Sequence, residues 1–206
     1  MIDYILKYAI RLDQKIYCTK RWMEDTKNVE HIDDDRFEFI DCDILDGLSV
    51  ERAIGISKPD KVFHFAAQSF PEASFLSPIS TLTTNIIGTT NLLEELKLAK
   101  ERNYCNPKIV SVSSSEVYGN PNEDEIPITE DNPIRAANPY SISKVGHDLL
   151  SQYYHRAYDM NIVITRMFSH EGSRRGKRFA LSWFAYQIVM AEKKKDFPQY
   201  APSFPM

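Results

Sequence analysis

Lys61–Ala66 reads KVFHFA, and Lys108–Ser113 reads KIVSVS. Both are short, nearly continuous apolar runs, the pattern of strands buried on both faces. Between them, Ile79–Lys100 carries apolar residues at helical spacing, and Asn106–Pro107 stops the chain before the second strand. Strand, long helix and strand make a βαβ unit. Its two strands lie parallel, and its crossover is right-handed.

The alternation continues in both directions. Upstream, Lys15–Thr19 (KIYCT) and Arg36–Asp41 (RFEFID) read as strands, separated by the charged stretch Arg21–Asp35, a loop with room for a short helix. Ile2–Ile10 places Ile2, Ile5, Leu6, Ala9 and Ile10 on one helical face. Asp46 is positioned to cap a helix that runs through Ser57. Downstream, Asn120–Ala137 is rich in Pro, Asn, Asp and Glu and reads as a surface loop. Ser141–Tyr158 has the pattern of an amphipathic helix, and Asn161–Met167 (NIVITRM) that of a strand. Phe179–Lys195 reads as a last helix, whose Lys193–Lys195 run suits a helix C-terminus. The proline-rich Phe197–Met206 reads as an unstructured tail.

The expected class is α/β, a doubly wound parallel sheet of the Rossmann-like kind. It forms one partial domain over residues 1–196, with a tail over 197–206. Such a fold normally opens with a strand, a Gly-rich phosphate loop and a helix. Here the first glycine is Gly47, and Ile2–Ile10 reads as the helix that follows such a loop. The sheet is therefore expected to be incomplete, lacking its first strand and Gly-rich loop. That strand is central in the usual order, so Lys15–Thr19 and Lys61–Ala66 are expected to lose their shared neighbour. Each buried N–H or C=O left open costs roughly 1–3 kcal/mol.

Composition narrows the function. The chain has 206 residues, 43% hydrophobic and 26% charged, which suits a globular domain with one core. A net charge of −4 gives no field that would draw nucleic acid or an anionic membrane. No apolar run approaches the roughly 20 residues of a membrane span, and MIDYILKYAIRLDQK lacks the features of a signal peptide. A cytoplasmic location is expected. Cys18, Cys42 and Cys105 are odd in number and widely spaced, which suggests neither a disulfide framework nor a metal set. Cys18 and Cys42 are expected in the core.

The chemistry concentrates in four segments. Tyr140-Ser-Ile-Ser-Lys144 places a phenol and an ammonium on one helix face. A phenol has a pKa of about 10, and a nearby cation favours its phenolate, which then accepts an alcohol proton near neutral pH. Ser111–Gly119 (SVSSSEVYG) brings Ser114 and Glu116 to the carboxyl end of a strand, where open α/β sheets bind ligands. Phe65, Ala66, Ala67, Gln68 and Ser69 follow another strand, and their small members let a dinucleotide pass near the backbone. Phe168–Gly176 (FSHEGSRRG) offers His170, Arg174 and Arg175 to phosphates or ribose.

Together these segments resemble the extended short-chain dehydrogenase/reductases that modify nucleotide sugars, from about Ile2 to Lys195. The run AAQSF…SP…T…N..GT.NLLE (Ala66 to Glu94) is similar to that family's dehydratases and epimerases. SSSEVYG is similar to the dehydratases, and FSHEGSRRG resembles the N-H-E-S-P-R-R-G segment of the GDP-mannose 4,6-dehydratases. The resemblance implies a nucleotide-sugar substrate, NADP as cofactor with NAD as the alternative, and a homo-oligomer in the complete enzyme. It implies Ser114, Glu116, Tyr140 and Lys144 as catalytic residues. It implies cofactor contacts from Asp43 and Ile44 at the adenine, from Phe65–Ser69 near the nicotinamide, and from Lys144, His170 and Arg175. Arg21 stands where the family has an arginine for the NADP 2′-phosphate. Two departures bear on cofactor affinity: Trp22 replaces a second arginine, and Ser80 replaces a tyrosine.

Overall fold

The computed structural model describes residues 1–9, 13–177 and 179–194. It divides into two units, Met1–Phe168 and a second that begins at Ser169.

The first unit opens with α1 (Ile2–Tyr4), which widens into a π-helical turn, Ile5–Ala9. The expected helix is thus irregular, and its last residue, Ile10, lies outside the described residues. β1 (Ile16–Lys20) and β2 (Phe37–Asp41) pair in parallel, with Cys18 opposite Phe39. Turns join them, with no helix among the described residues between. α2 (Gly47–Ser57) starts as expected at Asp46, whose side chain accepts the Leu48 N–H at 3.1 Å.

β3 (Lys61–His64), β4 (Lys108–Val112) and β5 (Ile162–Thr165) form a second parallel sheet in that order. The sequence assigns each of these strands one to three residues too many. The long helix between β3 and β4 is helical throughout but not uniform. It comprises α4 (Pro78–Leu82), a π turn at Thr83–Ile87, and α5 (Gly88–Glu101). A short helix before it, α3 (Pro71–Leu76), escapes the sequence pattern. α6 (Pro139–Tyr158) lies between β4 and β5 in sequence.

The expected interruption is present. Among the described residues the strands form two sheets, β1–β2 and β3–β4–β5, and no pairing joins β1 to β3. The core sits where α2, α5 and α6 meet β4. Val50, Ile54, Leu93, Leu96, Ile109, Tyr154 and Met160 cluster there, with Leu93 and Leu96 fully enclosed. Burying each such leucine contributes roughly 1.5–3 kcal/mol.

Two expectations about burial need correction. β3 is covered on one face only: His64 is buried, whereas Phe63 and the following Phe65 remain 44% and 49% exposed. Alternation explains this, since His64 packs with α5 and α6 and Phe63 points the other way. Cys18, free and half-buried, lies outside the core cluster, whereas Cys42, also free and half-buried, packs against it.

The second unit contains α7 (Ala180–Lys194). The expected extension to Lys195 and the tail Phe197–Met206 lie outside the described residues. No helix among the described residues is long and apolar enough to cross a membrane.

Candidate active site

The site begins where β4 ends. Ser114 adopts an extended backbone, and its hydroxyl accepts the Glu116 N–H at 3.2 Å, capping a 3-10 turn over Ser115–Tyr118. That turn lifts Glu116 out of the sheet, half-buried. Gly119 closes it at φ +60°, and a Cβ there would lie 1.8 Å from the Arg135 carbonyl oxygen. Only glycine fits so close an approach at that angle. Arg135 answers with its N–H to the Val117 carbonyl at 2.9 Å and a two-pronged ion pair to Glu125 at 2.6 and 2.8 Å. The turn that carries Glu116 is therefore fixed to the loop leading into α6.

α6 starts at a reciprocal cap. The Asn138 side chain accepts the Ser141 N–H at 2.7 Å, and the Ser141 hydroxyl accepts the Asn138 N–H at 2.9 Å. Pro139 fills the first helical position, where no N–H is needed. The helix thus begins before Tyr140, two residues earlier than the apolar pattern alone marks. Tyr140 and Lys144 lie one turn apart, 8% and 4% exposed. The Lys144 ammonium donates to the Val112 carbonyl at 2.6 Å, which ties α6 to the end of β4. Burial lowers the Lys144 pKa to about 8, against an opposing pull from the Asp148 carboxylate. The group is still mainly a cation at neutral pH.

A second set of buried polar residues holds this arrangement from behind. Asn85, fully buried, accepts the Gln68 N–H at 2.7 Å and donates to the Gln68 carbonyl at 3.0 Å and to Ser143 Oγ at 2.8 Å. Ser143 in turn donates to the Tyr140 carbonyl at 2.6 Å. One amide therefore joins the segment Phe65–Ser69 to the first turns of α6. Within that segment Phe65, Ala66 and Ser69 are exposed, while Ala67 and Gln68 are half-buried.

His64 and His147 stack with ring centroids 5.0 Å apart. Both meet the Thr89 hydroxyl, at 2.9 and 3.0 Å, and His147 Nε2 lies 2.7 Å from Ser111 Oγ. Burial and then the Lys144 cation push His64 down to about 3, and the same causes lower His147. Both are neutral at physiological pH. Burial alone would raise the Asp148 carboxyl, but two bonds from Arg166, at 2.9 and 3.2 Å, outweigh it and the net shift is downward.

The ends of β1 and β2 are more open. Arg21, Trp22, Glu24, Asp41, Cys42, Asp43, Asp46, Ser49 and Arg52 line a cleft of about 540 Å³ at the ends of β1 and β2. Arg21 and Asp43 are both among its lining residues. Ile44 does not line this cleft: it packs against the core and against Gly88. Arg21 is held by Glu24, with bonds of 3.0 and 2.8 Å to one carboxylate oxygen. Ser80 is exposed on α4.

His170 and Arg175 belong to the second unit. There Arg175 donates to the His170 carbonyl at 3.1 Å, approaches Glu171 at 3.2 Å, and covers the Phe179 ring at 3.8 Å.

Sequence reading missed Asn85, Asn138, the stacked histidines and the Asp148–Arg166 pair. Asn138 alone had a local signal, since Asn-Pro before an apolar stripe marks a helix start.

A family model described as GDP-mannose 4,6 dehydratase matches residues 3–201. The chain belongs to that family. A GDP-mannose 4,6-dehydratase of Vibrio cholerae is 28% identical over 188 residues, 86% of this chain and 48% of the relative. A UDP-glucose 4-epimerase of Mycolicibacterium smegmatis is 35% identical over 167 residues, 79% of this chain and 51% of the relative. Among solved structures, the dTDP-glucose 4,6-dehydratase DesIV of Streptomyces venezuelae, with NAD bound, superposes with a TM-score of 0.81 at 26% identity. That match covers 92% of this chain and 58% of the other. The chain spans about half the length of the curated relatives it matches.

Proposed function

We propose that this chain carries the nicotinamide-binding and catalytic half of a cytoplasmic nucleotide-sugar 4,6-dehydratase, acting on GDP-mannose with NADP and working as a homo-oligomer. The observation that carries the reading is a carboxylate, Glu116, bonded to the helix cap that leads directly into the Tyr140/Lys144 pair. Simple reduction or epimerisation at C4 needs the phenol and the ammonium. Elimination needs a second base.

The residues present fit a dinucleotide. Arg21 and Arg52 offer guanidinium groups at the cleft beyond β1 and β2, Asp43 offers a carboxylate, and Ala66 and Ala67 follow β3 with little side-chain bulk. Bound there, the nicotinamide would accept a hydride from C4 of the sugar and return it at C6, with no net consumption of cofactor.

In this reading Tyr140 accepts the proton of the sugar 4-hydroxyl, and the Lys144 cation stabilises the phenolate that does so. Ser114 hydrogen-bonds the same oxygen. The resulting 4-keto group acidifies the C5 hydrogen. Glu116 removes that proton and passes it to the departing C6 hydroxyl, which leaves as water. A proton returns to C5 from solvent, balanced by release of the one Tyr140 accepted, and the product is a 4-keto-6-deoxy nucleotide sugar. The segment FSHEGSRRG supports GDP-mannose, while the relatives include dTDP-glucose 4,6-dehydratases and epimerases as well. NAD is the second reading for the cofactor, favoured by Glu24, which holds the arginine otherwise free for a 2′-phosphate.

The test is a panel of GDP-mannose, dTDP-glucose and UDP-glucose, each with NADP or NAD. The expected result is a 4-keto-6-deoxy product from GDP-mannose with NADP. Conversion of another sugar alone would replace the substrate assignment, and C4 inversion without loss of water would replace the reaction.

A further inference from the structure

The Asn138 amide has two polar ends, and the structure engages both. Its oxygen accepts the Ser141 N–H at 2.7 Å, the usual duty of a helix cap. Its nitrogen donates to Glu116 Oε2 at 2.9 Å. The two partners fix the amide's orientation, because a backbone N–H donates and a carboxylate oxygen accepts. A bond to an ionised acceptor is stronger and more directional than a neutral one.

The cap residue itself is rigid. Ser141 Oγ accepts the Asn138 and Ala137 N–H groups at 2.9 and 3.0 Å and donates to the Asn138 carbonyl at 2.9 Å. The Glu116 turn is fixed separately, through Gly119, Arg135 and the Ser114 cap. Asn138 is thus the point where a helix bearing a phenol and an ammonium meets a turn bearing a carboxylate. The other common caps lack this combination. Serine caps but is too short to reach onward. Aspartate caps but would set a second carboxylate against Glu116.

We infer that Asn138 is a positioning residue: it caps α6 and, with the other end of the same amide, holds the Glu116 carboxylate in register with Tyr140. The inference rests on the dehydratase reading for what Glu116 does, but the contact itself is independent of that reading.

The experiment separates capping from holding. Asn138→Ser and Asn138→Asp both retain a cap. A thermal-unfolding cycle on the full chain compares Asn138→Ser, Glu116→Ala and the double variant. The expected result is non-additivity, with Asn138→Ser lowering the midpoint less when Glu116 is already removed. Additive shifts would overturn the contact.

Kinetics supply the second readout. Asn138→Ser is expected to lower kcat about tenfold while KM changes less than about twofold, with reduced nicotinamide accumulating as elimination slows. Asn138→Asp is expected to fall further, because repulsion is added to the lost bond. A kcat that tracks only the small change in stability, equal for serine and aspartate, would mean that Asn138 is a cap and nothing more. A lack of nicotinamide reduction by the unchanged chain would count against the dehydratase reading, and the cycle would then decide the Asn138 contact by itself.

Discussion

The β3–β4–β5 side of the molecule and the β1–β2 side use polar residues in opposite ways. On the first, Asn85, Thr89, Ser111, Lys144, His147 and Asp148 are buried, each with its partners. On the second, ion pairs lie at the surface, Lys15 with Glu38 and Arg21 with Glu24, or only partly buried, Lys20 with Asp41. Buried polar bonds fix geometry because breaking one strands its partner away from water. Surface pairs contribute roughly 0–1 kcal/mol and adapt. The β3–β4–β5 side is thus held by buried bonds, while the β1–β2 side is an open cleft whose Arg21 already has a local partner.

The sharpest way to break that contrast is chemical. Glu116→Gln is expected to cut product formation at least about 100-fold while nicotinamide reduction is still seen. Near-normal turnover in a product assay would remove Glu116 from the mechanism. Next comes stability. Asp148→Ala leaves Arg166 without its main partner and is expected to cost about 3 kcal/mol in denaturant unfolding. A loss below about 1 kcal/mol would show that the buried side is less tightly determined than its bonds suggest.

A pH series adds a third measure. The folded pKa values of His64 and His147 lie below those of the unfolded chain, so the unfolded state binds more protons in acid. Their stabilising share is complete above about pH 6.5 and falls by about 1.4 kcal/mol per histidine for each pH unit below, until the folded pKa is reached. His64→Asn is expected to flatten the thermal-midpoint slope between pH 6.5 and pH 5. An unchanged slope would place the acid sensitivity elsewhere. The smallest expected effect on stability lies on the open side. Arg21→Ala is expected to leave the unfolding midpoint within about 0.5 kcal/mol, yet to weaken NADPH binding about tenfold with little change for NADH. Equal loss for both would assign Arg21 to something other than the 2′-phosphate.

The same contrast decides what the sequence reveals. Tyr140, Lys144 and Glu116 are legible as candidates because their spacing and their place after a strand suit that chemistry. The split between β1 and β3 is legible too, from the place of Gly47 as the first glycine and the apolar runs on either side. Asn85 and His147 are not legible. Each is one polar residue in a helix, and its meaning depends on Gln68 and Ser111, brought near only by folding. Phe63 fails for a related reason: an apolar run does not say which face of a strand receives a helix. Nor does the sequence show that the Ile44 side chain packs beside Gly88 of α5 and against the core.

The most direct test of the central claim is to incubate the chain with GDP-mannose and NADP in deuterated water and read the product by mass spectrometry and NMR. The account predicts loss of one water, a 4-keto-6-deoxy sugar, and one deuterium at C5, because Glu116 exchanges the C5 proton with solvent. Product without deuterium at C5, or a sugar changed only at C4, would contradict it.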